Sequence, residues 1–405
     1  MNKDDYVCAF RGRRDSYQVP LALAEAGLLN QFITDVYATP PLEGLARLLP
    51  RSLQKKLTSR KMSGIPVERV RCLWGNTFLE HARHKLGFSK DVTWMKLDQG
   101  YSLAAASRAR RERANLFLYS PYAWEAFVAR YAHVPRKVLF QYHPHPATED
   151  RILSDDASRF PPQGTPFHSP HGGDSGNELR KRESEAWRHA DLIFCASRFT
   201  MLSLVNAGCP EERCRVVPYG IDLPEGTATG APPSRFRVIF VGTGVRRKGL
   251  HHLLQAWRLA HLPASSELLL VCRSLDEELE RVAAGTPRTR VCKGLDSAEL
   301  QSAYADSTLF AMPSLVEGFG QVFLEALAAG CPVLGTENTA LPDLGEEKDG
   351  VFLTEPGNID ALTARLEALA LQLVGNASIR DAARSTAARF SWKAFREGIR
   401  RELKA

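Results

Sequence analysis

The chain has 405 residues, 44% of them hydrophobic and 24% charged, with a formal net charge of +7 and a pI near 9.0. That length exceeds one ordinary core and suits two α/β domains, while the composition excludes collagen-like and disordered classes. No stretch reaches the roughly 18 apolar residues of a membrane span and the opening MNKDDYVCAF has no signal-peptide core, so a cytoplasmic protein with an anionic partner (a phosphorylated small molecule, an anionic membrane surface or nucleic acid) is expected.

In chain order, apolar runs predict strands at Tyr6 to Phe10 and Phe32 to Tyr37. A basic helical region is then expected from about Leu42 to Arg113. Within it, leucines at 45, 49, 53 and 57 recur at i+4, interrupted by Pro50. Arg47, Arg51, Lys55, Lys56, Arg60 and Lys61 accompany them, so residues 44–62 read either as a helical cover with a solvated face or as a peripheral contact with anionic membrane at its inner face. Further strands are expected at Leu116 to Tyr119, Lys137 to Tyr142 and Asp191 to Cys195, with a Pro/Gly/Ser/His-rich loop from Phe160 to Gly176.

The segment Val217 to Ser234 gathers proline, glycine and small polar residues and reads as an interdomain linker. Beyond it the rhythm is clearer. Strands are expected at Phe236 to Val241, Glu267 to Cys272, Arg288 to Cys292, Leu309 to Met312, Pro332 to Gly335 and Val351 to Leu353, with helices beginning near Lys248, Asp276, Asp296 and Gln321. Such alternation builds a parallel sheet with helices on both faces. The fold class is therefore α/β, with two Rossmann-like doubly wound domains, residues 1–216 and 217–389, facing a cleft.

Two stretches carry chemistry. In Pro313 to Gly335, Glu317 precedes a helix and Glu325 projects from it about two turns in, on the face that holds Gly318 and Gln321. Gly318 and Gly320 allow backbone N–H groups to approach an anion at the positive helix end. In Val238 to Trp257, a buried strand and a glycine turn lead into Arg246, Arg247 and Lys248, a group suited to phosphate oxygens. The competing readings are a tight turn and solvated surface charge. Eight scattered cysteines have no zinc-site spacing and read as inert thiols, and no aromatic-plus-glycine RNA motif points to nucleic acid.

These residues resemble a known family. Glu317-x7-Glu325, Lys248-Gly249, Val217-Pro218-Tyr219-Gly220-Ile221-Asp222 and Phe390-Ser391-Trp392 are similar to the motifs of retaining glycosyltransferases of the family-4 type, with the GT-B fold. The resemblance spans roughly Glu183 to Trp392. It implies a nucleotide-sugar donor, UDP favoured over GDP, held mostly by the C-terminal domain, and a glycan, lipid-linked or small-molecule acceptor held mostly by the N-terminal one. Glu325 is expected on the ribose, Glu317 on the donor sugar, the Gly318-Phe319-Gly320 backbone on sugar or phosphate oxygens, and Lys248 on the diphosphate. His143 is expected to face the reacting sugar, with His145 second, and Gly12 to lie in the first N-terminal loop. A final helix, residues 390–405, is expected to return to the N-terminal domain.

The chain departs from the family pattern at Gly242-Thr243, where an arginine is usual, so the second phosphate cation falls to Arg246 or Arg247. It departs again at Cys272-Arg273-Ser274, and at Arg11-Gly12-Arg13-Arg14, which suggests an anionic acceptor. The chain contains no Asp-x-Asp motif, and with cations present for the phosphates neither a divalent metal nor another cofactor is expected. An inactive sugar-nucleotide-binding partner subunit and a GT-B epimerase stand as alternatives, since fold alone does not specify chemistry.

Overall fold

The computed structural model describes residues 4–39, 42, 44, 50, 54, 57–75, 90–161, 174–223 and 231–404. Two parallel sheets form the architecture. The first has seven strands, β1 (Tyr6–Ala9), β2 (Leu29–Thr34), β3 (Val70–Cys72), β4 (Asn115–Tyr119), β5 (Lys137–Gln141), β6 (Leu192–Cys195) and β7 (Cys214–Val216), in the order β3-β2-β1-β4-β5-β6-β7. The second has six, β8 (Arg237–Val241), β9 (Glu267–Val271), β10 (Thr289–Cys292), β11 (Leu309–Ala311), β12 (Val333–Thr336) and β13 (Val351–Thr354), in the order β10-β9-β8-β11-β12-β13. Apart from Lys137, Gln141 and Arg237 at strand ends, the central strands are apolar, and they are largely buried on both faces, as covered parallel sheets require. The expected α/β doubly wound class is what the chain adopts.

In both sheets the strand order reverses beside the first strand, between β1 and β4 and between β8 and β11. Ligands of open α/β sheets bind beyond the carboxyl ends of the strands at such reversals. The loops there are residues 10–17 in the first unit, and residues 242–249 and 312–320 in the second. All three bear on the site.

Several boundaries differ from expectation. The second strand ends at Thr34, because the Asp35 carboxylate takes the Gly12 amide and Arg60 and so opens a turn. Strand β3 interrupts the region expected to be helical from Leu42 to Arg113; its three residues include the charged Arg71, which hides the apolar signal. The long helix of that region is Lys90–Glu112. Edge strand β7 is equally short. A helix, Asp174–Glu185, begins inside the segment expected as loop. Of residues 44–62 most lie outside the described residues, as do 162–173 of that loop and 224–230 of the linker. Among the described residues no helix is long and apolar enough to cross a membrane.

The final helix, Trp392–Lys404, leaves the second unit and lies along the helix Gln18–Glu25 of the first. Trp392, Phe395, Ile399 and Leu403 are buried along it, each contributing roughly 1.5–3 kcal/mol by the usual accounting for buried side chains. Phe395 reaches Phe140 and Tyr219, and Arg396 and Arg400 both pair with Glu25. The close pass is fixed at Gly220, where a Cβ would lie 2.3 Å from the Trp392 nitrogen.

Candidate active site

The carboxyl ends of the two sheets meet at the loop 312–320. Gly318 packs on the Tyr142 carbonyl and the His143 Cα, and its own carbonyl accepts from Ser197 Oγ at 2.5 Å. Glu317 is 7% exposed and lies on two cations: Arg247 Nη1 is 3.2 Å and Lys248 Nζ 3.4 Å from its Oε2. Arg247 also donates to the Val316 carbonyl at 2.9 Å. Lys248 is threaded across Gly242, whose φ of +147° and missing side chain leave room; a Cβ there would meet Nζ at 3.2 Å.

Burial alone would push the Glu317 carboxyl up, but Arg247, Lys248 and His143 more than offset it and hold the group down at about 2. Two cations against one carboxylate leave one positive charge in a partly desolvated loop, where it acts strongly on an arriving anion. Across the seam, burial with the Arg247, Arg14 and Lys248 charges brings His143 down to about 4 despite Glu317. Its imidazole is thus neutral near pH 7 and available as donor or acceptor.

The helix Gln321–Ala328 starts at Gly320, which has φ +81° and supplies no side-chain cap. The N-cap residue therefore covers none of the first-turn N–H groups with a side chain at the positive end of the helix. Phe319 is not at the surface of this loop; it is buried with its ring edge-on to Tyr219 at 5.3 Å. Glu325 sits further along the helix, where burial raises its carboxyl against a 3.4 Å contact from the Tyr304 hydroxyl. It lines a cavity of about 450 Å3 with Ser16, Asp222, Arg273, Gln321 and Trp392, within the size range of small-molecule sites.

Two sequence candidates are placed elsewhere, and a third, Gly12, keeps its expected loop. Arg246 is buried and its guanidinium is occupied by Glu278 at 3.4 Å, Asp156 at 3.8 Å and the Phe160 carbonyl, so it is not brought to the Glu317 cluster with Arg247. His145 caps the helix Pro146–Arg159 by accepting from Ala147 N and also contacts the Ser184 carbonyl. Gly12, at φ +78°, gives its N–H to Asp35 at 3.1 Å.

The first unit contributes Arg14 of the expected basic loop and two acids that were not among the sequence candidates. After β1, Asp15, Ser16 and Tyr17 are all left-handed, with φ of 45°, 48° and 62°, at about 1–2 kcal/mol each for non-glycine residues. This turn drives Arg14 inward, its guanidinium 4.2 Å from the Tyr142 ring centre. Around it lie Asp98 and Glu183, both raised to about 7 chiefly by burial. Held that high, these acids answer the positive charge expected at this loop only in part near neutral pH. Asp98 was legible in principle, as a carboxylate on the buried helical stripe with Tyr101, Ser102 and Ala105.

Comparison with known proteins agrees with this fold. Residues 235–372 match the family described as Glycosyl transferases group 1. The chain is 35% identical over 221 residues to the sulfoquinovosyl transferase SQD2 of Arabidopsis thaliana, covering 52% of this chain and 42% of that protein. It is 24% identical over 344 residues to the putative colanic acid biosynthesis glycosyltransferase WcaL of Salmonella typhimurium, covering 75% and 83%. The match spans about half the length of the first curated relatives. The crystal structure of Anabaena Alr3699/HepE with UDP and glucose superposes over 99% of both chains with a TM-score of 0.61 at 16% identity.

Proposed function

We propose that this chain, which belongs to the group 1 glycosyltransferases and carries the GT-B fold, moves a sugar from a UDP-linked donor to an acceptor hydroxyl with retained anomeric configuration. The setting is glycan, polysaccharide or glycoconjugate biosynthesis, the kind of process named for the WcaL relative. The observation that carries the reading is the pairing of Arg247 and Lys248 on one buried carboxylate at the strand-order reversal, opposite His143.

In this reading Lys248 and Arg247 stabilise charge developing on the leaving diphosphate, assisted by the N-terminus of Gln321–Ala328. Glu317 keeps both cations in place before the donor arrives and engages the donor sugar. The Glu325 cavity takes the nucleoside, with the carboxyl on the ribose. His143, neutral and sheltered, hydrogen-bonds the reacting sugar. With cations supplied by the chain, the diphosphate is held without a magnesium or manganese ion. UDP is preferred on the solved relative crystallised with UDP and glucose, and retention follows from the family-4 resemblance.

The test is release of free nucleotide from UDP-, GDP- and ADP-sugars, without added magnesium or manganese, by the wild type and by Glu317→Gln and Lys248→Ala. Slow release from a UDP-sugar, lost in both variants, is expected. Binding of that donor without turnover, with or without candidate acceptors, would instead identify an inactive partner subunit.

A further inference from the structure

Beneath the Lys248 loop, three side chains meet that the donor reading leaves unused. Asp156 comes from the helix Pro146–Arg159 of the first unit, and His251 and His252 come from the first turn of Leu250–Leu259 in the second. His251 Nε2 lies 3.0 Å from Asp156 Oδ2, and His252 Nε2 lies 3.0 Å from Oδ1. Neighbours on a helix normally diverge by about 100°, yet these two rings converge, with centroids 3.8 Å apart. One ligand atom from each residue falls within 4.8 Å of the others.

His251 Nε2 and Asp156 Oδ2 share a hydrogen bond at 3.0 Å, but the rest of the trio is poorly satisfied. The His252 and Asp156 side chains are only 2% and 3% exposed. Even so, His252 Nε2, Asp156 Oδ1 and the Nδ1 atoms of both histidines have no aligned hydrogen-bond partner. A buried polar atom left this way is costly, and such atoms call for an explanation. An ion at their meeting point supplies one, because imidazole nitrogen and carboxylate oxygen direct lone pairs at a metal rather than a proton at each other.

We infer that Asp156, His251 and His252 form a binding site for a divalent transition metal of the zinc class, which joins the two units of the fold. Two histidines and one carboxylate are a donor set that zinc accepts. The surrounding charge allows it. Arg246 stands 3.8 Å from Asp156 but already answers Glu278 and the Phe160 carbonyl, so Asp156 and Glu278 against Arg246 leave one negative charge for the cation. The edge of the Phe160 ring, 4.8 Å from His252, closes one side. Because the donors belong to both units, the metal acts as a staple across the seam, and its role is separate from holding the diphosphate.

The full chain, stripped of metal by dialysis against a chelator and then transferred to chelator-free buffer, is titrated with cobalt(II) and then with zinc(II). One equivalent of cobalt giving visible d–d bands without a thiolate charge-transfer band, displaced by one equivalent of zinc with a rise in Tm, is the expected result. Asp156→Asn and the double variant His251→Asn/His252→Asn should weaken binding by at least about a hundredfold and lose the Tm rise. Absence of stoichiometric cobalt binding overturns the inference, as does binding that persists in the variants. If the variants do not fold, the wild-type spectrum still decides: a thiolate band would place the ion on cysteine and make the trio a hydrogen-bonded clasp only.

Discussion

Gly318 rests against the main-chain carbonyl of Tyr142 so closely that a Cβ on it would come within 1.9 Å of that oxygen. The contact crosses from the second sheet to the first, and backbone occupies both sides of it, so no rotamer change can relieve a side chain there. Gly318→Ala is expected to force the loop and β5 apart. In the same step Glu317 moves away from His143. Nucleotide release should fall by about 10²-fold, in line with the cost of small misplacements at reacting groups. Circular dichroism should show both sheets intact, and a variant of full activity would refute the packing argument.

Lys248→Ala removes one of the two cations on Glu317. Turnover should drop by about 10²- to 10³-fold, as for loss of one preorganised charge at a developing anion. The Glu317 carboxyl should also rise from about 2 toward the usual range, since Lys248 is one of the charges holding it down. A depressed carboxyl contributes stability that is present above its unfolded value and fades as pH falls through the folded one. The Tm deficit of the variant should therefore be largest near pH 6 and narrow as pH falls toward 3, which a Tm series over that range measures.

Glu183 and Asp98 run in the opposite direction. Burial raises both to about 7, so the stability present below their unfolded values fades as pH rises through 7. Glu183→Gln should match the wild type near pH 4 and exceed its Tm at pH 8 by about 2–4 °C. An equal shift at both pH values would show that the carboxyl is not held protonated.

Arg246→Ala separates two roles. If the guanidinium serves the seam, its loss leaves Glu278 and Asp156 without their shared cation, at about 3–5 kcal/mol for a broken buried pair. UDP affinity should change little. Arg247→Ala should show the reverse, with weak UDP binding and near-normal Tm. Calorimetry on both variants distinguishes them.

Much of this was legible in the chain. The buried strands of the second unit announce themselves because a doubly covered parallel strand must be apolar at every position, as in Val238 to Val241. Lys248, Glu317 and Glu325 stand out by their spacing around glycines. The edge strands β3 and β7 were missed because three residues with an exposed or charged centre carry no period. Arg246 and Arg247 are indistinguishable in sequence; only the short 3-10 turn Arg246–Lys248 sends one inward to Glu278 and the other to Glu317. The convergence of Asp156 with His251 and His252 joins positions far apart in the chain, and no local pattern reveals it.

The helix Trp392–Lys404 has a consequence for the order in which this protein is made. The apolar side chains that receive Phe395, including Phe140 of the first unit and Tyr219 of the linker, emerge from the ribosome long before their partner. Translation of the whole second sheet intervenes, on the order of ten to thirty seconds at ordinary elongation rates. During that interval a sticky patch faces the crowded interior of the cell, and the first sheet exists as an unfinished surface awaiting residues 392–404. A nascent chain halted before residue 392 is therefore the species on which a chaperone should be found, and completion of the helix is the event that releases it.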